Sequence, residues 1–439
     1  MRALLVNPWI YDFKAFDFWM KPLGLLYIAS ILREEGFEIS FIDLLDRYHP
    51  IFLKRVRKRP KVDEYGRGKF YCEEIKKPEV LSPIPRRYKR YGMPVEVFLE
   101  ILDDVKEPDV ILLTSMMTYW YLGVWEAIKI LKRRFKGVPI ILGGVYPTLM
   151  PGHAKLSGAD IIIPGLAEEN LFRGLRELGL VKEEKRFHFT DFPFPAFDLY
   201  SHLDYACVLT SRGCPFHCTY CAVPMLFNGF RVRDADSIYR EIEYYAEVLK
   251  VENIAFYDDA LLLNPHFHKL LDKLIARGLN IKFHTPNGLF PRFITEELAF
   301  KFYEVGFETI YLSLETIESA RQRATGDKVR TEEFLRAVEL LKGVGFKGSQ
   351  IHTYLMMGLP GQPAEEVKRS INFVNSLGIR VHLSEFSPIP RTLEFKRAGY
   401  DDETDPLLHN NTAFGSYEEK LSLKRYLLQI QQKQLSSVQ

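Results

Sequence analysis

Residues 205–224 read YACVLTSRGCPFHCTYCAVP, and the order of those residues decides how the rest of the chain is read. The apolar run 206–210 has the character of a buried strand, and it empties into a loop that carries Cys214, Cys218 and Cys221 in a C-x3-C-x2-C spacing. Only Cys72 and Cys207 lie elsewhere, so three clustered thiols in a large chain indicate metal binding rather than a disulfide framework. A loop can turn three thiolates onto one face of a cuboidal [4Fe-4S] cluster, and the arithmetic leaves one iron without a cysteine. That open iron can bind a substrate or cofactor, whereas a four-thiolate cluster only shuttles electrons. Zinc is the competing reading, with His217 as a fourth ligand. Structural zinc sites usually pair CxxC motifs or join CxxC to a distant HxxxH, and the chain shows neither pattern.

Outward from this loop, the second half alternates strand and helix. Strand signals fall at 206–210, 253–257, 281–285, 309–314, 350–356 and 381–386, with amphipathic stretches between them. Six such units predict a partial or full parallel βα barrel whose chemistry sits at the C-terminal strand ends. The first half repeats the pattern, with strands at 3–6, 39–42, 110–114, 139–142 and 160–163 and helices at 22–35 and 124–135, each stopped by glycine at 36 or 137. The fold class is therefore α/β: a Rossmann-like (flavodoxin-like) N-terminal parallel sheet, a partial (βα)6 barrel, and a small C-terminal extension. The expected domains are 1–190, 200–390 and 391–439, with a Pro-rich linker at 191–196. Between the second and third N-terminal units lies an irregular, basic insertion, 47–92, containing LKRVRKRPK and PRRYKRYG.

Composition bounds the function classes. The chain has 439 residues, 47% of them hydrophobic and 26% charged, which suits a folded protein of two or three domains. Lys plus Arg (59) nearly balances Asp plus Glu (57), for a net charge of +2, so no whole-molecule field calls for nucleic acid. The insertion has two readings: a solvated loop, or Arg forks that grip an acidic or phosphate-bearing substrate. The N-terminus lacks the shape of a secretory signal, and no apolar run approaches the ~20 residues of a membrane helix. A cytoplasmic enzyme without a membrane span is expected.

The cysteine spacing, its place after a first barrel strand and the aromatic Tyr220 before the last cysteine resemble the radical S-adenosylmethionine (SAM) superfamily. The resemblance covers residues 200–390. It implies that the open iron chelates the methionine moiety of SAM, that a reductant such as flavodoxin or ferredoxin supplies the electron, and that the backbone at Tyr220 contacts adenine. It further implies that Asp258 and Asp259, in the variant FYDD at the second strand end, face the methionine ammonium. Ser313 and Glu315, in SLE at the fourth, would bond the ribose and methionine region. Gly358, in MMGLPGQ after the fifth, would let backbone approach the nucleoside, and FSPIPRT (386–392) matches the family's closing strand end. Helix capping is the plain alternative for the aspartates and for Ser313 and Glu315. His284, His352 and His382 fall in strands and read as core residues.

The N-terminal half resembles the cobalamin-binding-domain branch of that superfamily, through LLVNP, TSMM (114–117), LGGVYPT (142–148) and ADIIIPG (159–165). The matched cobalamin-binding positions are Ser115, Gly143 and Gly144, with Tyr119 in the TYWY loop covering the corrin or filling its cavity. The Asp-x-His-x-x-Gly motif that supplies a cobalt-ligating histidine is absent, and His49 in DLLDRYHP has neither its spacing nor its glycine. The expected activity is reductive cleavage of SAM, hydrogen abstraction from an unactivated C–H bond, and methyl transfer where cobalamin is bound. The alternatives are a cobalamin-independent rearrangement, cyclisation or C–C coupling, and a non-catalytic iron-sulfur or corrin carrier. Methylthiotransferase chemistry needs a second cluster, and two distant cysteines do not supply one.

Overall fold

The computed structural model describes residues 1–57 and 60–437, so Lys58 and Arg59 of the basic run lie outside the described residues. The chain divides into two compact units: Met1–Ala206 with Asp405–Leu408, and Cys207–Thr404 with His409–Gln439.

In the first unit, strands β1 (Arg2–Asn7), β2 (Glu38–Asp43), β3 (Val110–Leu113), β4 (Ile140–Leu142) and β5 (Ile161–Ile162) form a parallel sheet in the order β2-β1-β3-β4-β5. The central strands read as continuous apolar runs because they are buried on both faces; Leu4, Leu5, Val6 and all of β3 and β4 are buried. The helix Leu23–Glu34 ends at Gly36, whose φ of +82° is the left-handed stop that the sequence predicts. Strand order reverses between β1 and β3, and such a reversal opens a crevice beyond the carboxyl ends of the strands.

The insertion differs from the irregular segment expected from its composition. Ile10–Asp12, Cys72–Glu74 and Lys89–Tyr91 pair into a three-stranded antiparallel sheet. Ile10, Leu45, Phe70 and Tyr91 close a small core on it. Its arginines are largely committed to carboxylates: Arg47 to Asp17 (2.6 Å), Arg67 to Asp63 (2.7 Å) and Arg90 to Glu73 (2.5 Å). The Pro-rich stretch packs back on the first helix, where Ser30 Oγ donates to the Phe194 carbonyl (2.6 Å) and the Ala196 N–H to that of Leu26 (3.2 Å).

In the second unit, β6 (Ala206–Val208), β7 (Asn253–Phe256), β8 (Lys282–Leu289), β9 (Phe307–Glu315), β10 (Ile351–Met357) and β11 (Arg380–Glu385) form one sheet in sequential order. This is the expected partial (βα)6 barrel. Strand alternation and register turn Tyr311, Ser313, His352, Tyr354 and His382 to the same face of the sheet. His352 Nδ1 lies 2.8 Å from His382 Nε2, and His284 lies between Thr309 (2.9 Å) and Asn253 (3.1 Å), which bears out their reading as bonded strand histidines. The extension ends in the helix Tyr417–Ser437, tied to the barrel by Lys424 on Glu385 (2.6 Å) and Tyr426 on Asn372 (2.8 Å).

Candidate active site

The cysteine loop leaves the C-terminal end of β6 and is held short of free movement by its backbone. Gly213 has φ of +82°, and a Cβ there would overlap the Gly229 carbonyl oxygen, so only glycine fits before Cys214. The Cys221 N–H closes a turn on the Cys218 carbonyl (3.0 Å), and the Val223 N–H points at the Cys221 sulfur (3.5 Å). Cys218 lies close enough to both Cys214 and Cys221 to act on them electrostatically. Burial pushes all three thiols up, Cys221 to about 11. His217, in the same loop, points to solvent.

The ends of β7 and β9 face these thiols. Asp259 acts on Cys214 and Cys221, and Glu315 on Cys218. Burial, then the neighbouring Asp258 charge, pushes Asp259 up to about 7 against a bond from the Gly213 N–H. Asp258 points elsewhere: its carboxylate is spent on Thr210 and Ser211. Glu315 sits on a bulge of β9 with φ of +66°, a left-handed conformation costly for a non-glycine residue and one that clusters at functional sites. Lys328 meets it, with Nζ 2.7 Å from Oε1, 3.4 Å from Ser313 Oγ and 5.8 Å from the Tyr220 ring centroid. Burial opposes the ammonium charge, but Glu315, Tyr220 and Cys218 outweigh it and hold Lys328 well above the usual lysine range. At the end of β10, Gly358 has φ of +84° and open space where a Cβ would stand.

In the first unit, a shallow crevice opens at the β1/β3 reversal, walled by residues that include Trp9, Met20, Lys21, Ser115, Met116 and Trp120. Ser115 Oγ donates to the Gly143 carbonyl (3.2 Å), and the Val145 N–H to that of Ser115 (2.8 Å), so Ser115, Gly143 and Gly144 are gathered at one place. The two glycines differ. A Cβ on Gly144 (φ +104°) would run into the Ser115 backbone, whereas at Gly143 it would find almost empty space. Tyr119 is buried away from the crevice, and it is the Trp120 indole that lines it, its Nε1 donating to Asp12 (2.8 Å). His49 is not among the crevice walls.

Asp46, near Lys21, gives this unit a testable pH response. Burial pushes it up to about 6 against Lys21 and Arg47, with Asp43 adding to the rise and the Tyr48 N–H opposing it. The folded state therefore holds the proton more tightly than the unfolded chain. The resulting stability is present below about pH 4 and is lost as pH rises through about 6. Asp46→Asn should stabilise the protein by roughly 2–3 kcal/mol at pH 7 and hardly at all at pH 4, read from urea midpoints.

Comparison with known proteins agrees with this geometry. Residues 208–374 match the radical SAM superfamily model and residues 89–172 the B12 binding domain model. The chain carries a B12-binding domain and a radical SAM domain. An uncharacterized methyltransferase, PH0819 of Pyrococcus horikoshii, is 22% identical over 395 residues, covering 82% of this chain and 74% of the relative. Among solved structures, the radical SAM methyltransferase TsrM of Kitasatospora setae, with tryptophan and a SAM analogue bound, superposes with a TM-score of 0.64 at 15% identity, over 91% of this chain and 76% of that one. The cobalamin-dependent radical enzyme OxsB gives 0.58 at 15% identity, over 98% of this chain and 56% of its own. At these identities the likeness is one of fold.

The cofactors of a radical SAM enzyme with such a domain are a [4Fe-4S] cluster, SAM and cobalamin, and the residues present fit them. Among the described residues no group of three His, Cys, Asp or Glu is drawn tightly enough to hold a single ion. A cubane does not ask for that, since each of its thiolates binds a different iron. In the B12-binding domain the open space at Gly143 is a cradle that any larger residue would fill. Among the described residues no helix is long and apolar enough to cross a membrane. One residue at the site escapes a sequence reading: Lys328, which follows the glycine turn at Gly326 beyond the helix Ser319–Ala324; Trp120 belongs to the TYWY loop expected there, beside Tyr119.

Proposed function

We propose that this radical SAM enzyme cleaves SAM reductively at a cluster held by Cys214, Cys218 and Cys221, and abstracts hydrogen from an unactivated C–H bond. The observation that carries the reading is the convergence of Asp259, Glu315 and Lys328 on the three thiols. Held by these three thiolates, a [4Fe-4S] cluster would supply the one-electron reduction that splits SAM at its sulfonium, with a flavodoxin or ferredoxin as the electron source. Asp259 offers a carboxylate to the methionine ammonium, the role that Asp258 cannot share while its oxygens bind Thr210 and Ser211. Ser313 and Glu315 accept from the ribose and methionine region, with Lys328 holding the Glu315 carboxylate in place. The backbone at Tyr220 and at Gly358 borders the nucleoside. Anaerobic reconstitution followed by dithionite should yield 5'-deoxyadenosine from SAM; a protein that binds SAM and makes none is a carrier, and the proposal fails.

Methyl transfer through cobalamin is the outcome favoured by the crevice at the β1/β3 reversal, since TsrM, described as a methyltransferase, has been solved with cobalamin and a [4Fe-4S] cluster bound. Ser115, Gly143 and Gly144 would hold the nucleotide tail, and Trp120 rather than Tyr119 the adjoining corrin face. Hydroxocobalamin should co-elute with the protein on gel filtration, and Gly143→Leu should abolish the corrin absorbance while leaving iron content unchanged. Corrin-free wild-type protein would move the reading to a cobalamin-independent rearrangement or coupling. The commitment of Arg47, Arg67 and Arg90 to carboxylates favours a structural role for the insertion over a phosphate grip.

A further inference from the structure

The cysteine loop is gripped at two points by carboxylates that lie outside it, and neither is a group that the chemistry above requires. The first is Asp258, 4% exposed, just beyond β7. Its Oδ1 accepts from Thr210 N (3.1 Å), Thr210 Oγ1 (2.6 Å), Ser211 N (2.5 Å) and Ser211 Oγ (2.6 Å), and its Oδ2 also accepts from Thr210 N (3.1 Å). Thr210 and Ser211 are wholly buried, so without this carboxylate their donors would stand unsatisfied in the interior. The carbonyl side of the same segment is tied as well. Thr210 O accepts from Arg233 N (2.8 Å) and Asn264 Nδ2 (3.0 Å), and Leu209 O accepts from the Arg233 guanidinium (3.0 Å). The segment that delivers Cys214 is thus fixed from both edges.

The second grip is Glu394, 3% exposed, on the short helix Leu393–Arg397 beyond the last barrel strand. It makes a reciprocal pair with Thr219, the residue that follows Cys218: Thr219 Oγ1 donates to Glu394 Oε1 (2.8 Å), and the Glu394 N–H donates to the Thr219 carbonyl (3.1 Å). Arg397 holds the same carboxylate at 2.7 Å. From the opposite side the Thr219 N–H reaches the Thr325 carbonyl (3.2 Å), and Gly326 lies so near Cys218 that a Cβ there would stand 3.0 Å from the Cys218 Cα.

We propose that Asp258 and Glu394 are positioning residues that preset the cysteine loop for its cluster, the first at the approach to Cys214 and the second between Cys218 and Cys221. This rests on the cluster reading given above. Fixing a loop residue costs about 1–2 kcal/mol of backbone entropy, and the two carboxylates meet that cost in the fold, before iron arrives. Asp258 suits the task better than asparagine would, because four donors share one anionic oxygen and the Thr210 N–H also meets the second, where an amide would set an N–H₂ against it. Glu394 makes cluster retention depend on a helix outside the barrel, a dependence that no cysteine motif reveals.

The test uses full-length protein reconstituted anaerobically with iron and sulfide. Asp258→Asn and Glu394→Ala should lose iron to a chelator roughly 10–100-fold faster than wild type, the usual penalty for removing a partner that orients a metal ligand. Glu394→Gln, which keeps the acceptor for Thr219, should restore retention. Thr219→Val should lose part of what Glu394→Ala loses, and the double variant should lose no more than Glu394→Ala alone. The reduced cluster should also show altered electron paramagnetic resonance in the poorly retaining variants, a change that a general loss of stability would not produce. Wild-type retention and spectra in both Asp258→Asn and Glu394→Ala overturn this inference alone. A wild-type protein that takes up no iron-sulfur cluster overturns the cluster reading and this inference with it.

Discussion

Alanine at any one of Cys214, Cys218 or Cys221 is expected to bring 5'-deoxyadenosine formation down to the background of dithionite and SAM without protein. Each thiolate holds a separate iron of the cluster, so no neighbour can take over a missing ligand. The structure offers no substitute among the described residues: Asp259 and Glu315 are carboxylates, His217 faces solvent, and Cys207 is wholly buried within β6. Iron per chain should fall in parallel with turnover. Cys207→Ala is the contrasting variant, since Cys207 packs as a small apolar side chain. It should cost about 1 kcal/mol in a urea melt while leaving iron and 5'-deoxyadenosine at wild-type levels. Substantial turnover in any of the three cysteine variants would sink the assignment of the cluster ligands.

The parts of this site that were legible in the sequence are those fixed by local order. Apolar runs four to seven residues long alternating with amphipathic helices specify parallel βα units, and eleven strands occur where those runs lie. The cysteine spacing and the strand-end positions of Asp259, Ser313 and Glu315 follow from the same order. What escaped is set by pairing at a distance. Asp258 and Asp259 are equivalent in sequence, and only the contact with Thr210 and Ser211, almost fifty residues away, turns the first inward. The insertion reads as a basic loop because its strands are three residues long, too short for a period, and one of their partners is Ile10–Asp12. Tyr119 and Trp120 are both aromatic, and the short helix that they share decides which ring reaches the crevice.

Lys328→Met is expected to have the second-largest effect, on stability and on the cluster together. The lysine and Glu315 are largely withdrawn from solvent, with 14% and 13% of their side chains exposed. Removing the cation strands a carboxylate in a site it shares with three thiols and with Asp259, and breaking a buried pair in this way costs about 3 kcal/mol. The double variant Lys328→Met/Glu315→Gln should recover most of that loss, and the difference between single and double variants in urea melts measures the coupling. The same substitution acts on the loaded protein through charge. Reduction adds one negative charge beside Glu315 and Asp259, and the ammonium of Lys328 is the cation that acts on all three cysteines. Without it, the reduction potential should fall by an amount on the order of several tens of millivolts at an effective dielectric near 20, measured by spectroelectrochemistry. Lys328→Arg keeps the charge and should hold the potential near wild type even if the longer side chain weakens SAM binding. A Lys328→Met potential equal to wild type would show that the lysine serves Glu315 alone and does not set the field at the cysteines.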